Sequence, residues 1–125
     1  MTTTPPPSAG TLRSIAVAVS DTAAAERLLG TVTDLPVTVR DGERWTALDA
    51  GGLTLALTVA EEIPGGAHVC LNVKVDDVPT AYAALLAAGG KPAQPPVRTA
   101  HEERAAVLLG NAVALVVYRS LPRPS

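Results

Sequence analysis

The chain has 125 residues and a mass of 12.7 kDa, room for one hydrophobic core and no second domain. Its formal charge is −2 and its pI is near 5.6; the broad basic surface that a phosphate backbone demands is missing, so no nucleic-acid partner is expected. Hydrophobic residues make up 47% of the chain, yet the aromatics are only Trp45, Tyr82 and Tyr118, with no Phe, so the core must be built from Val, Leu, Ile and Ala.

Residues 1–10, MTTTPPPSAG, lack the basic opening and apolar stretch of a secretory signal and read as a disordered lead. Residues 12–19 predict a strand, followed by Ser20-Asp21 as a helix N-cap and TAAAERLLG as a helix that stops at Gly30. Residues 36–40 and 43–49 flank Asp41-Gly42 as a predicted hairpin, and Gly51-Gly52 turns the chain into the strand LTLALTVAE. After the loop Pro64-Gly65-Gly66 the order begins again. HVCLNVKV is a strand, Asp77 a cap, residues 78–88 a helix that tolerates Pro79 in its first turn, and Gly89-Gly90 its stop. KPAQPP reads as a connection, with a candidate further strand around Arg98. Residues 102–109 and 112–119 predict strands that meet at Gly110-Asn111, and 122–125 a frayed tail.

The longest apolar runs, 81–88 and 112–118, fall short of the ~18–20 residues of a membrane span. Cys70 has no second cysteine to pair with, and a reducing, cytoplasmic setting is expected. The two halves can be laid over one another. VAVSDTAAAERLL from Val17 matches VKVDDVPTAYAAL from Val73, 56 positions on, at five of thirteen residues, and LTLALTV from Leu53 falls on NAVALVV from Asn111, 58 positions on. A duplicated βαβββ unit follows, with module one at about 11–62 and module two at about 66–121 of a single domain, 11–121. Each unit is too small to bury a face, so the two must pack within one chain or exchange with a second chain.

This order of elements, with the motifs VAVSD and VDDVPTAYAALLAAGG and a Gly-Asn turn before the last strand, resembles the vicinal oxygen chelate superfamily. Its members include glyoxalase I, extradiol dioxygenases, fosfomycin-modifying enzymes and bleomycin-resistance proteins. The resemblance spans residues 12–121 and implies an α+β fold: tandem βαβββ modules forming a U-shaped mixed sheet, with helices on the convex face, in a homodimer. The superfamily's Asp-Pro-Asp-Gly-Asn turn is here Leu108-Leu109-Gly110-Asn111, a local departure. Metal-using members take from each half a His seven residues before the capping Asp and a carboxylate in the middle of the last strand. Those positions hold Ser14, Cys70, Ala56 and Ala114. Two methyl groups, a thiol and a hydroxyl fall short of the three or four donors that a Zn²⁺, Fe²⁺ or Mn²⁺ site uses. No metal and no cofactor is expected.

If the strands alternate, Val69, Leu71, Val73 and Val75 face the helices, while His68, Cys70, Asn72 and Lys74 face the side that is the ligand cup in the superfamily. Ser14, Ala16, Ala18, Ala56, Thr58, Ala112, Ala114, Val116 and Tyr118 line the same cup. The small lining predicts open volume, and Trp45 offers a ring to stack on a planar ligand. Each residue has a plainer reading: His68 an exposed residue at the strand start, Cys70 an inert buried thiol, Asn72 a structural linker, Lys74 a solvated ammonium, Trp45 core or dimer interface. His101-Glu102-Glu103-Arg104 reads as a solvated run, or with Arg104 or Arg98 reaching over the cup to hold an anion. Arg40 and Arg44 admit the same pair of readings.

The candidate ligand-binding residues are thus Ser14, Trp45, Ala56, His68, Cys70, Asn72, Arg104, Ala114 and Tyr118. The leading expectation is a metal-independent protein that binds or sequesters a small metabolite or antibiotic. The alternatives are an isomerase, cyclase or lyase using His68 with Cys70, Asn72 or Arg104, and a silent dimerising regulatory module. Bleomycin itself is a poor fit, because stacking could draw only on Trp45, Tyr118 and Tyr82.

Overall fold

A computed structural model describes residues 10–122; the expected lead lies outside these residues except for Gly10, and so does the tail beyond Pro122. The chain folds as β1 (Gly10–Ala18), α1 (Thr22–Gly30), β2 (Val37–Asp41), β3 (Trp45–Asp49), β4 (Thr54–Thr58), β5 (Val69–Val75), α2 (Val78–Ala87), β6 (Lys91–Arg98), β7 (Glu102–Leu108) and β8 (Val113–Ser120), with two 3-10 turns, Ala60–Glu62 and Pro64–Gly66, between β4 and β5. No helix among the described residues is long and apolar enough to cross a membrane.

Both helices start where the sequence places their caps. Asp21 and Asp77 sit in extended backbone, and their carboxylates accept from Ala24 N at 3.0 Å and Thr80 N at 3.1 Å, each satisfying one of the otherwise orphaned first-turn N–H groups. The two Thr80 hydrogen bonds, backbone first and then side chain, hold the Asp77 carboxyl below its ordinary range.

The strands form one eight-stranded mixed sheet in the order β2-β3-β4-β1-β5-β8-β7-β6. β1 runs parallel to β4 and β5 parallel to β8, while β1 and β5 join the modules antiparallel at the centre. The modules therefore pair within one chain, edge to edge. The cross-strand partners correct the alignment of the two halves. Ser14 stands beside Thr54, whereas its counterpart Cys70 stands beside Ala114; β4 and β8 correspond 60 positions apart by pairing, two more than sequence matching gives.

One further expectation is corrected. KPAQPP is not a connection but most of β6, which pairs only with β7. Proline cannot donate to a ladder and is tolerated on a sheet edge; here the register shifts between Pro92 and Gln94 and again between Gln94 and Val97.

The sheet carries an apolar layer on each face. Under α2, Val78 and Ala81 pack with Val75, Ala105 and Val117, flanked by Val73, Tyr82 and Leu85. Tyr82 therefore belongs to the helix side and offers no ring to a cup ligand. On the same side Glu103 is buried, accepting from Arg119 Nε at 2.8 Å and Arg98 Nε at 3.5 Å. The Arg119 hydrogen bond, aided by Arg98, outweighs burial and holds the Glu103 carboxyl below its ordinary 4.5. A carboxyl whose pKa falls on folding stabilises the native state above the unfolded-state value and ceases to do so as pH drops through the native one. The urea midpoint is therefore expected to fall as pH is lowered below about 4.5, and Glu103→Gln to flatten that acid limb while lowering the midpoint at pH 7. An identical acid limb in the variant would remove Glu103 from this role.

The opposite face holds Ala16, Ala56, Cys70, Ala106, Ala114 and Val116, closed over by Ile63 and Ala67 from the turns between β4 and β5. The turns lie so close that a Cβ on Gly65, at φ +70°, would stand 2.8 Å from Leu108 Cδ2; a side chain there would meet both strain and a clash. Arg44 fastens the turn from the hairpin side through Glu62 at 2.7 Å.

Candidate ligand-binding pocket

Above the Ile63 plug, the same face keeps a hollow of about 260 Å³ lined by Ser14, Trp45, Asn72, Glu102, Arg104, Val116 and Tyr118. Trp45 on β3 and Arg104 on β7 are five strand spacings apart in the sheet order, about 24 Å on a flat sheet at ~4.8 Å per strand. One small hollow can touch both only because the sheet curls.

The floor is set by register. Ser14 and Asn72 are direct partners across β1 and β5, and Asn72 Nδ2 donates to Ser14 Oγ at 3.0 Å. Cys70 Sγ lies 3.5 Å from Asn72 Oδ1 and donates to it. Among the described residues, the chain of bonds leaves the Ser14 hydroxyl proton and the second Asn72 N–H without an acceptor. On one wall, β7 presents Glu102 and Arg104 two residues apart on one face, their charged ends 3.6 Å apart; Arg104 stands opposite Tyr118 of β8. The opposite wall is Trp45, packed against the edge of the Ile63 layer together with Tyr118.

Arg104 carries the least satisfied polar group of the site. Its Nε–H is buried with no acceptor among the described residues, and at 3.6 Å its approach to Glu102 is longer than a hydrogen bond. Buried polar groups are nearly always paired, so an acceptor or a water belongs beside this nitrogen; Gln94 Oε1, the other such unpaired atom among the described residues, lines a neighbouring hollow with Arg104.

The structure brings Ser14, Trp45, Asn72, Arg104 and Tyr118 to one hollow. It places Ala56, Cys70 and Ala114 elsewhere, at the bottom of the Ile63 layer, each at most 3% exposed. Their small side chains do not leave open volume, because Ile63 fills it. Burial raises the Cys70 thiol to about 11 against the pull of Arg104, so it is not a thiolate at neutral pH. His68 is exposed at the start of β5 and lines no part of the hollow; its backbone bridges Ala112 O and Ala18 N at 2.8 Å each. Arg98 lies on the helix side with Glu103, and Arg40 and Arg44 pair with Glu26 and Glu62. Val116 lines the hollow as strand alternation predicts, whereas Glu102 is a lining residue that the sequence reading does not single out. Alternation from Arg104 was the signal for Glu102, obscured by its place in a charged run.

A divalent cation does not fit the four superfamily positions. Ala114 carries no donor, the β4 position is Ala56 or, by register, the single hydroxyl of Thr54 beside Ser14, Cys70 offers one buried thiol, and Ser14 Oγ is engaged by Asn72. Among the described residues no three His, Cys, Asp or Glu side chains converge.

A chain of this topology has the fold of the glyoxalase/bleomycin resistance/dioxygenase proteins, the vicinal oxygen chelate superfamily. A member of that superfamily from Vibrio splendidus 12B01 superposes with a TM-score of 0.66 at 17% identity, covering 89% of this chain and 100% of its own. Methylmalonyl-CoA epimerase from Mycobacterium tuberculosis superposes with a TM-score of 0.62 at 17% identity, over 98% of this chain and 94% of its own. No family profile matches the sequence. At 38% identity over 84 residues, 67% of this chain and 72% of the relative, the chain belongs to one family with an uncharacterized protein of Mycolicibacterium smegmatis.

Proposed function

We propose that the chain is a metal-independent, small-molecule binding protein, cytoplasmic and homodimeric, whose ligand occupies the hollow between Trp45 and Arg104. The observation that carries this reading is the division of that hollow: an aromatic wall, a polar wall and a hydrogen-bonding floor in about 260 Å³. Ligand sites are built in this way, from apolar walls and a few placed polar groups. The volume lies just under the ~300–1,000 Å³ usual for drug-sized ligands, which favours a small metabolite. Metal independence is supported by the donor-poor set Ser14, Ala56 or its register equivalent Thr54, Cys70 and Ala114.

Trp45 is the only tryptophan, so its emission reports occupancy. Titration with a small-metabolite library is expected to shift Trp45 emission and raise Tm for the binders, and Arg104→Ala to abolish both effects for binders that carry a carboxylate. A library that moves neither signal overturns the reading. A turnover reading with His68 as base has little support, since His68 stands outside the hollow; likeness in fold to an epimerase at 17% identity does not supply a base.

Homodimerisation is supported by apolar side chains left uncovered on module one. Every residue of β2 is exposed, Val39 among them, and Leu28 and Val32 are 71% and 82% exposed. β2 is also an unpaired sheet edge, which native proteins cover or blunt. Light scattering is expected to give twice 12.7 kDa; a monomer mass at micromolar concentration removes the dimer from the proposal.

A further inference from the structure

The polar wall of the hollow carries two opposite charges, and neither is fully matched. Glu102 and Arg104 face the hollow from the same face of β7 at 3.6 Å, with side chains 36% and 30% exposed. A tight pair would close that gap to hydrogen-bond length, about 2.7–2.9 Å. The Arg104 guanidinium lines the hollow with no acceptor within hydrogen-bond length on Glu102, and the floor adds the donors of Ser14 and Asn72 that no described residue takes up. The deep end therefore asks for an acceptor of two or more hydrogen bonds, which a carboxylate supplies in the planar geometry a guanidinium prefers. A bare carboxylate would be seated beside Glu102 and repelled by it. A bare amine would be seated beside Arg104. A ligand that carries both charges, an ammonium next to its carboxylate, matches both residues and leaves no like charges in contact.

From this arrangement, and resting on the binding reading above, we infer that the hollow takes a small α-amino acid or close analogue: its carboxylate on Arg104, Asn72 and Ser14, its ammonium on Glu102, and an apolar or flat side chain against Trp45 and Tyr118. The two ends fit the two walls. The donors lie on the floor and polar wall, Trp45 lies across the hollow, and Val116 and Tyr118 of β8 line the space between. Glu102 sets the specificity, because without it any small carboxylate would satisfy Arg104.

The test uses the full chain and Trp45 emission, checked by calorimetry. The probes are L-leucine and L-phenylalanine, each with the matching amine that lacks the carboxylate and the matching acid that lacks the ammonium, and benzyl alcohol as a neutral flat probe. At least one amino acid is expected to bind about tenfold or more tighter than its own amine and acid, the value of one charge-assisted hydrogen bond. Glu102→Gln is expected to remove that preference by weakening the amino acid and strengthening the acid until the two bind alike. Arg104→Gln is expected to abolish binding of acid and amino acid alike while benzyl alcohol still quenches Trp45, which shows that the variant remains folded. An acid or amine that equals the amino acid on the unmodified chain overturns the inference, as does an unchanged preference in Glu102→Gln. Binding of benzyl alcohol with no amino acid bound overturns the inference and leaves the pocket reading standing. Silence from every probe overturns the inference together with the pocket.

Discussion

Ile63→Ala is expected to lower stability by about 2–5 kcal/mol, the range for truncating a buried Ile to Ala. Ile63 is 5% exposed and is the largest side chain in a layer otherwise made of Ala16, Ala56, Ala67, Cys70, Ala106, Ala114 and Val116. Alanines cannot reorient to fill a cavity, and the turn that carries Ile63 is held by the close seat of Gly65 on Leu108 and by the Arg44–Glu62 pair. The site will therefore collapse little, which puts the cost toward the upper part of that range. Urea unfolding measures the loss. A second readout comes from Cys70. In the parent chain its thiol, raised to about 11, is expected to resist an aromatic disulfide reagent at pH 8 until the protein unfolds; in Ile63→Ala the reagent should reach it in the folded state. A loss under 1 kcal/mol with an unchanged thiol rate would mean that Ile63 does not close the floor.

That plug was invisible in the sequence, and the reason is physical. The segment from Val59 to His68 has no hydrophobic period and two glycines, so nothing local distinguishes an Ile that turns inward from one left in a loop. The row of small residues at Ala16, Ala56 and Ala114 was legible, but small residues fit open volume and a tightly packed neighbour equally well, and only tertiary structure decides between them. Elements with local causes were readable. The Asp21 and Asp77 caps fixed both helix starts, and strand alternation put Ser14, Asn72, Val116 and Tyr118 on one face, where register brings them together. β6 was misread because three prolines forbid a central strand, and a sequence does not say which strand will be at the edge. Glu102 and Glu103 show the same limit at the scale of one residue. They are neighbours in a charged run, yet one faces the hollow and the other is buried between Arg98 and Arg119 on the helix side.

Ala114→Glu, which puts a carboxylate where the superfamily resemblance would place a metal ligand, is expected to unfold much of the protein at neutral pH without creating a metal site. Ala114 is fully buried beside Cys70 on β5 and Leu108 on β7, in the layer that Ile63 closes. Adding the longer side chain overpacks that layer by about 1–3 kcal/mol, and ionising it there costs several more. The sum approaches the ~5–15 kcal/mol that holds a domain of this kind folded. The sign with pH is distinctive. Burial disfavours the charged form, so the introduced carboxyl has a native pKa raised above its unfolded ~4.3; the penalty is complete above the native value and eases as pH falls toward the unfolded one. The variant should therefore gain stability from pH 8 to pH 5, whereas the parent loses stability only below about 4.5, as Glu103 and Asp77 take up protons. Urea midpoints at pH 5, 6.5 and 8, with and without Zn²⁺, separate the possibilities. Parent-like stability at pH 8 would show that the floor is open after all. A Zn²⁺-dependent rise in midpoint would show that Cys70 and the new carboxylate suffice as ligands. Neither is expected, because one carboxylate and one thiol, with the Asn72-bound Ser14 hydroxyl and only the methyl of Ala56 or the hydroxyl of Thr54 from β4, still fall short of a closed coordination shell.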